Sequence, residues 1–247
     1  MYAQEQIKPY KNGSSKCEQV REMFNNIAHS YDTLNHTLSF GVDRWWRQCA
    51  IDFLKKKKCK FNRILDVATG TGDFALLASC ELHPNIVIGC DISEQMLKIG
   101  HKKAQNAGLS DIVKFQEEDC AKMSFEDNSF DAVITAFALR NFEDLDTCLE
   151  EMLRVTSKGG YFVAIDLCAP QSFPMKYIYA FYKKYIIPAL GRYLSRDNRA
   201  YKYLPQTMDV VPQARSMKNI LEKAGFSNVK YTRLAFDMCI LYTAEKK

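Results

Sequence analysis

The chain has 247 residues, 47% of them hydrophobic and 26% charged, with a formal net charge of +5. That length supplies one substantial core, or one domain with an appended cap. The positive balance is mild and falls short of the basic face of a nucleic-acid binder, and no run of about 18 apolar residues is present to span a membrane.

The first twenty residues are polar and lack the apolar core of a secretory signal. Residues 1–19 read as a flexible N-terminal arm. From 20 to 53 apolar residues recur at helical spacing, broken near Gly41. The lysine run at 55–58 reads as a solvated helix end, because cations suit a helix C-terminus. From Arg63 short apolar runs alternate with helical segments. Strands are predicted at 63–68, 86–91, 112–117, 131–137 and 160–167, and helices near 72–80, 93–107 and 144–154. This alternation predicts a doubly wound α/β, Rossmann-like fold with a mostly parallel sheet.

After Pro170 the texture changes. "FPMKYIYAFYKKYIIPALGRYL" is aromatic and apolar with interleaved lysines, and Pro188 stands where it would kink or end a helix. "MKNILEKAGF" reads as a helix closed by Gly225. "VKYTRLAF" and "MCILYTAE" read as an antiparallel pair finishing the sheet. One domain is therefore expected over 20–247, with helical cap segments at about 20–58 and 172–210. The nine cysteines include no CxxC pair, which points to reduced thiols in a cytoplasmic protein. Neither they nor the four histidines have metal-ligand spacing, so no metal is expected.

Ligands in such sheets bind beyond the carboxyl ends of the strands, at the first strand-to-helix turn. "RILDVATGTGDFALLA", residues 63–78, carries that turn. Gly70 and Gly72, with Thr71 between them, permit a tight turn and close approach of a ligand. Gly70, Gly72 and Ala75 fit the dinucleotide fingerprint loosely, and Asp91 is the acid expected about 20 residues further on. A nicotinamide dinucleotide and S-adenosylmethionine both fit this far. Charge separates them. A pyrophosphate favours bare amides at a helix N-terminus, whereas Asp66 and Asp73 flank this turn and favour the cationic sulfonium and ammonium of S-adenosylmethionine. The plainer alternatives are that Asp73 complements the helix dipole and Asp66 caps the turn. Asp119 and Cys120 close the third strand, where an adenine edge would be held. Ala136, at the end of the fourth, completes the expected cofactor set.

Several widely spaced motifs carry a resemblance. "YDTLNHTLSFGVDRWW" follows Y-D-x-M-N-x-x-L-S-x-G-x-H-x-x-W, with Leu34 for Met and Asp43 for His. "FALRN", 137–141, follows F-G-L-R-N, and "RVTSKGG" follows R-V-L-K-P-G-G, with "IDLCAP" after it. "YKYLPQTM" and "AGFSNVKYTRL" match two further stretches. Together with "LDVATGTGD", these make the chain similar to the ubiquinone/menaquinone biosynthesis C-methyltransferase family (UbiE/MenG type) over 20–247.

The resemblance implies S-adenosylmethionine-dependent methylation of a ring carbon of a polyprenylated quinol. Asp43, the retained core motifs and the absence of an Arg/Ser-rich leader point to a bacterial enzyme. Demethylmenaquinol is therefore expected ahead of the 2-methoxy-6-polyprenyl-benzoquinol intermediate. An oxidoreductase and a non-catalytic scaffold are the rivals from other classes. A ring carbon is a poor nucleophile unless an adjacent hydroxyl ionises, and a phenol titrates near 10, so the site must stabilise an oxyanion. Arg140 is expected to do so, or to position a water. Asn141 is expected to orient the ring oxygen, unless "RN" merely caps the next helix. Tyr31 and Asp32 follow, as donors or as a base acting through water. Asp43 removes the family's imidazole, so no acid–base role is assigned there, and His36 is the one histidine worth testing.

Tyr177, Phe181, Tyr182 and Tyr185, with Lys176, Lys183 and Lys184, are expected to form a lid over a polyprenyl groove and to meet lipid. The alternative is a cap packed on the core. Trp45 and Trp46 either line that groove or pack internally. The expected partners are the quinol and, transiently, the inner face of the cell membrane. Nucleic acid is not expected, since neither an N/D-P-P-Y/F motif nor a Pro-Cys pair is present. A homodimer is left open.

Overall fold

The computed structural model describes residues 1–10, 12–57, 59–170, 173–186 and 198–247. Seven strands form one sheet: β1 (Arg63–Val67), β2 (Ile86–Asp91), β3 (Val113–Glu117), β4 (Phe130–Ala136), β5 (Thr156–Leu167), β6 (Ser227–Leu234) and β7 (Cys239–Glu245). Their order is β3-β2-β1-β4-β5-β7-β6. The first five are parallel, and β7 lies antiparallel between β5 and β6. The central strands are continuous apolar runs because both faces are covered. In β1, Ile64, Leu65 and Val67 have no exposed surface.

On one face lie α2 (Val42–Lys55), α3 (Asp73–Leu82) and α4 (Glu94–Asn106). They bury Trp46, Ile51, Leu54, Phe74 and Leu97 against the sheet. The other face is covered by α5 (Leu145–Val155) and, further along, by α8 (Arg215–Lys223), through Leu149, Met152 and Leu221. α1 (Lys16–Leu38) forms a smaller core of its own with Met96 of α4 and Tyr203. Beyond β5 come α6 (Met175–Phe181), continued by one wider turn at Tyr182–Ile186, and then α7 (Asn198–Val210). Pro188 and the central part of the expected cap lie outside the described residues. From β1 the chain winds outward to β2 and β3, then crosses back to β4 and β5. This reversal opens a crevice between β1 and β4 at their carboxyl ends.

Residues 1–19 differ from the expected loose arm. α1 starts at Lys16, capped by Ser15, whose side chain accepts from the Glu18 amide while Glu18 accepts from the Ser15 amide. Before it, a short turn at Ala3–Gln6 is docked on the domain. The Tyr2 hydroxyl donates to Asp146 Oδ1 at 2.6 Å, and the Leu145 amide donates to Glu5 Oε1 at 3.0 Å. Gln4 and Glu5 are buried. Two side chains that read as solvated in the sequence are here partners of the start of α5, Glu5 of a backbone amide and Tyr2 of the Asp146 carboxylate.

Candidate active site

Two cavities meet at the crevice. The smaller, about 170 Å³, sits over the first strand-to-helix turn. Gly70 lines it with a left-handed φ of +57°, and nothing stands within 4 Å of where a Cβ would point. A ligand can therefore lie directly on the turn. Asp91, at the end of β2, braces it: the Gly70 amide donates to Oδ2 and the Ser93 amide to Oδ1, each at 2.8 Å. Burial raises the Asp91 pKa, and the amides of Ser93, Gly70 and Ile92 offset part of that rise. Asp119, Cys120 and Ala136 also line the cavity. Cys120 Sγ lies 2.9 Å from Cys148 Sγ.

The remaining turn residues stand behind this wall. Gly72 is a packing position: a Cβ there would lie 2.5 Å from Phe115 Cζ. Thr71 Oγ1 donates to Asp32 Oδ1 at 2.6 Å and accepts from Lys103 Nζ at 3.0 Å. Lys103 also pairs with Asp32 at 2.5 Å and Asp73 at 2.6 Å. Asp66 lies beneath the turn, with Thr69 Oγ1 donating to its Oδ2 at 2.6 Å. Burial pushes the Asp66 carboxyl up to about 7, against the pull of Thr69 and Arg47. Of the expected cofactor residues, then, Gly70, Asp91, Asp119, Cys120 and Ala136 come together, while Asp66, Thr71 and Gly72 support the turn from behind.

The acids that give the cavity its sign are different ones. Asp91, Glu118, Asp119, Glu143 and Asp144 line it, with no lysine or arginine among the described residues. The electrostatic case against a diphosphate survives with new carriers, because Asp73 is neutralised by Lys103 on the outer side of the turn.

The larger cavity, about 630 Å³, is walled by aromatic and aliphatic side chains of α1, α2, α6 and the β6–β7 turn. Trp45 and Trp46 both line it. Trp46 is buried and Trp45 half exposed, so the two readings of this pair hold together. Arg140 supplies the cationic group. Its Nη1 donates to Asp166 Oδ1 at 2.6 Å and to the Phe137 carbonyl at 2.5 Å. Its Nε is buried with no partner among the described residues. Burial raises the Asp166 pKa, and Arg140 draws it back.

Tyr31 and Phe137 border both cavities. Phe137 ends β4 with a left-handed φ of +60°, unusual for a bulky residue. Trp46 packs edge-on against it at 6.0 Å, and the Arg47 guanidinium lies 5.2 Å from its ring centre. Nothing in the sequence marked Phe137 beyond its place in "FALRN". Burial raises the Tyr31 pKa, with Arg140 and Arg47 opposing, so its phenol is a donor at neutral pH.

Asp32 lies away from both cavities, held by Lys103 and Thr71. A base role through water has no support from that position. Asn141 borders the smaller cavity, and Arg140 the larger. Orienting a ring oxygen is therefore not where Asn141 points. Nor does it cap the next helix: Asp144 does, accepting the Thr147 amide at 3.1 Å.

The signature stretch builds a latch. Asp43 accepts from Arg47 Nη1 at 2.6 Å and Ser39 Oγ at 2.6 Å, and faces His36 Nδ1 at 2.9 Å. His36 Nε2 reaches Asp73 Oδ2 at 3.8 Å. This ties α1 to α2 beside the larger cavity, which Asp43 helps to line.

A doubly wound sheet with an acid-lined cavity at its switch point, beside a deep apolar one, places the chain among Rossmann-like enzymes. The chain belongs to the ubiE/COQ5 methyltransferase family, whose profile matches residues 12–246. It is 54% identical over 245 residues to the demethylmenaquinone methyltransferase of Bacteroides fragilis, covering 99% of each chain. It is 41% identical to that of Porphyromonas gingivalis, covering 100% of each. In fold it resembles a SAM-dependent methyltransferase of Thermotoga maritima, a possible histamine N-methyltransferase, at a TM-score of 0.61 with 18% identity, covering 92% of this chain and 100% of that one.

Proposed function

We propose that this chain transfers a methyl group to a ring carbon of demethylmenaquinol, giving menaquinol. The observation that carries the reading is the shared wall: Tyr31 and Phe137 separate an acid-lined cavity from an apolar one that contains Arg140. The family and the named relatives agree with it.

The residues of the smaller cavity fit S-adenosylmethionine. Gly70 leaves open space above the turn, and five carboxylates suit a ligand with two cationic groups and no phosphate. Asp91, Asp119, Cys120 and Ala136 are proposed as its contacts, and Asn141 joins them. The bound group supplies a methyl activated on a sulfonium. What the chain contributes is position and charge. The Asp166 carboxylate and the Phe137 carbonyl fix the Arg140 guanidinium in the larger cavity. There it stabilises negative charge on the ring oxygen once the hydroxyl has given its proton to solvent, which pushes electron density onto the neighbouring carbon. That carbon takes the methyl and then loses its own hydrogen as a proton, which restores the aromatic ring and reprotonates the oxygen. Tyr31 stays protonated and donates beside the ring. The apolar walls exclude water and take the start of the prenyl chain.

The chain is further proposed to meet a membrane surface through α6. Phe173, Tyr177, Phe181 and Tyr185 recur every fourth residue and are all exposed, while Tyr179 and Tyr182 of the same segment turn inward to line the cavity. Phe40, Trp45 and Phe236, also exposed, stand at the same cavity. Among the described residues no helix is long and apolar enough to cross a membrane, so the contact is peripheral.

The direct test is mass spectrometry of products after incubating purified protein with S-adenosylmethionine and chemically reduced demethylmenaquinone, with the reduced benzoquinol analogue in parallel. A gain of one methyl on the naphthoquinol is expected. Gain on the benzoquinol alone would reassign the acceptor, and gain on neither would sink the reading.

A further inference from the structure

Lys16 is fully buried, with no exposed surface, alone in this among the described lysines. Its Nζ donates to three backbone carbonyls: Gln4 at 2.7 Å, Arg140 at 3.0 Å and Phe142 at 3.2 Å. An ammonium has three N–H donors and no acceptor, so the match is complete. Two of the three carbonyls flank Asn141 on the turn that carries Arg140. The third belongs to the docked N-terminal turn. From the other side, Glu143 accepts the backbone amides of Lys16 and Cys17 at 2.9 and 3.1 Å and so caps the start of α1. Cys17 in turn lines the smaller cavity.

We propose that Lys16 is a positioning residue for methyl transfer, an ammonium clamp that fixes the turn at 139–142 so that Arg140 faces the acceptor cavity while Asn141 faces the cofactor cavity. The proposal rests on the reading of function given above. Residues adjacent in sequence must present side chains to two different cavities, and the three-residue turn Leu139–Asn141, followed by Phe142, has few internal hydrogen bonds to hold that geometry. Lys16 supplies the missing ones, and as charged donors they are strong. Through the same atom, docking of residues 1–7 is coupled to the order of the site.

The clamp has a titration of its own. Burial drives the Lys16 pKa down to about 8, against the charges of Glu5 and Glu143, with Arg140 lowering it further and Cys148 opposing. A neutral amine has two N–H donors and leaves one of three carbonyls unmatched. Turnover should therefore fall along an alkaline limb centred near that pH.

Three proteins decide the matter: the full chain, Lys16→Met and Glu5→Gln. In each, kcat and KM for both substrates are measured across pH, with S-adenosylhomocysteine affinity by calorimetry. Lys16→Met keeps the stem and removes the donors. It is expected to lower kcat at least about tenfold and to abolish the limb. Glu5→Gln removes a negative charge that favours the ammonium, at a residue outside both cavities. Its kcat at pH 6, below the limb, should stay close to that of the full chain while the limb moves to lower pH. If Lys16→Met does not fold, the Glu5→Gln profile carries the decision alone, because a purely structural lysine would leave the limb where it is. An unmoved limb in Glu5→Gln, or full turnover in Lys16→Met, overturns the clamp. A full chain inactive on every quinol instead overturns the reading of function.

Discussion

Arg140 is held at one nitrogen by a carboxylate and a carbonyl, leaving Nε buried and unpaired among the described residues. A guanidinium fixed in this way keeps its direction, whereas a lysine at the same position would keep the charge and lose the fork. Arg140→Lys should therefore lower kcat by on the order of 10²-fold, with S-adenosylhomocysteine affinity within about twofold, since Arg140 faces the other cavity. Steady-state kinetics alongside calorimetry tests this, and a loss of affinity matching the loss of rate would refute it. Asp43 makes a different kind of statement. Burial opposes its charge, yet bonds from Ser39, His36 and Arg47 outweigh burial and hold its carboxyl down to about 2. A carboxyl lower in the folded than in the unfolded chain stabilises above its unfolded value near 3.8 and loses that contribution as pH falls toward 2. The latch should thus contribute ~2 kcal/mol at neutral pH. Acid titration of thermal stability would show it: the full chain should weaken between pH 4 and 2 more steeply than Asp43→Asn, which lacks the group. Equal slopes would mean the latch adds nothing.

At the scale of elements, the ring of Phe115 on β3 packs against three glycines and is the nearest neighbour of two, Gly72 and Gly100. A Cβ on Gly72, Gly89 or Gly100 would lie 2.5, 3.0 or 2.8 Å from it, and at Gly89 Thr69 stands closer still at 2.8 Å, so α3, β2 and α4 close around one ring. Gly100 sits inside α4, where alanine would ordinarily gain about 1 kcal/mol in helix propensity. Here overpacking against a buried ring should win, and Gly100→Ala is expected to destabilise by ~1–3 kcal/mol. Chemical denaturation measures the sign directly, and Phe115→Leu in the same chain should recover part of the loss if the ring is the cause. The strands around this packing were legible from apolar runs and turn residues, because both faces of a parallel sheet leave an unbroken signal. β1 and β2 fall within a residue of their predicted ends. β5 starts at Thr156, earlier than expected, because its first residues pair only at Phe130 before a bulge, and their glycines suppress the strand signal. The turn at Ala3–Gln6 was not legible at all. Its order comes from long-range partners on α5 and from Lys16, and polar side chains in sequence carry no mark of the backbone groups they will meet. The site divides along the same line. Gly70 and Asp91 follow from local turn chemistry. The exclusion of Asp66 and Asp32 from the cavities, and the role of Phe137, depend on which way side chains face across the crevice.

For the whole molecule, the question is how a fold in which no described helix is long and apolar enough to cross a membrane reaches an acceptor whose prenyl chain prefers lipid. Large exposed apolar side chains gather around the larger cavity: Phe40 and Trp45 from the α1–α2 region and Phe236 from the β6–β7 turn line it, and the exposed stripe at 173–185 stands on the outer side of the segment whose Ile178, Tyr179 and Tyr182 line it. Scattered exposure of this kind is ordinary, but convergence from three parts of the chain on one cavity is not. Exposed Lys176 and Lys184 flank the stripe, and the chain is net positive at +5, so an anionic surface is favoured. An aromatic side chain that enters the headgroup region contributes on the order of 1 kcal/mol or more when part of its apolar area leaves water. Replacing Phe173 and Phe181 together by Ser should therefore weaken binding to vesicles containing anionic lipid by about tenfold or more. Turnover of quinol presented in those vesicles should fall in step, while turnover of a short-chain quinol dispersed in detergent should not change, because neither residue lines the larger cavity proposed for the ring. Co-sedimentation and the two rates, measured on one preparation, separate the steps. Loss of the detergent rate as well would mean that the stripe supports the catalytic wall; unchanged vesicle binding would mean that the membrane is met by another surface.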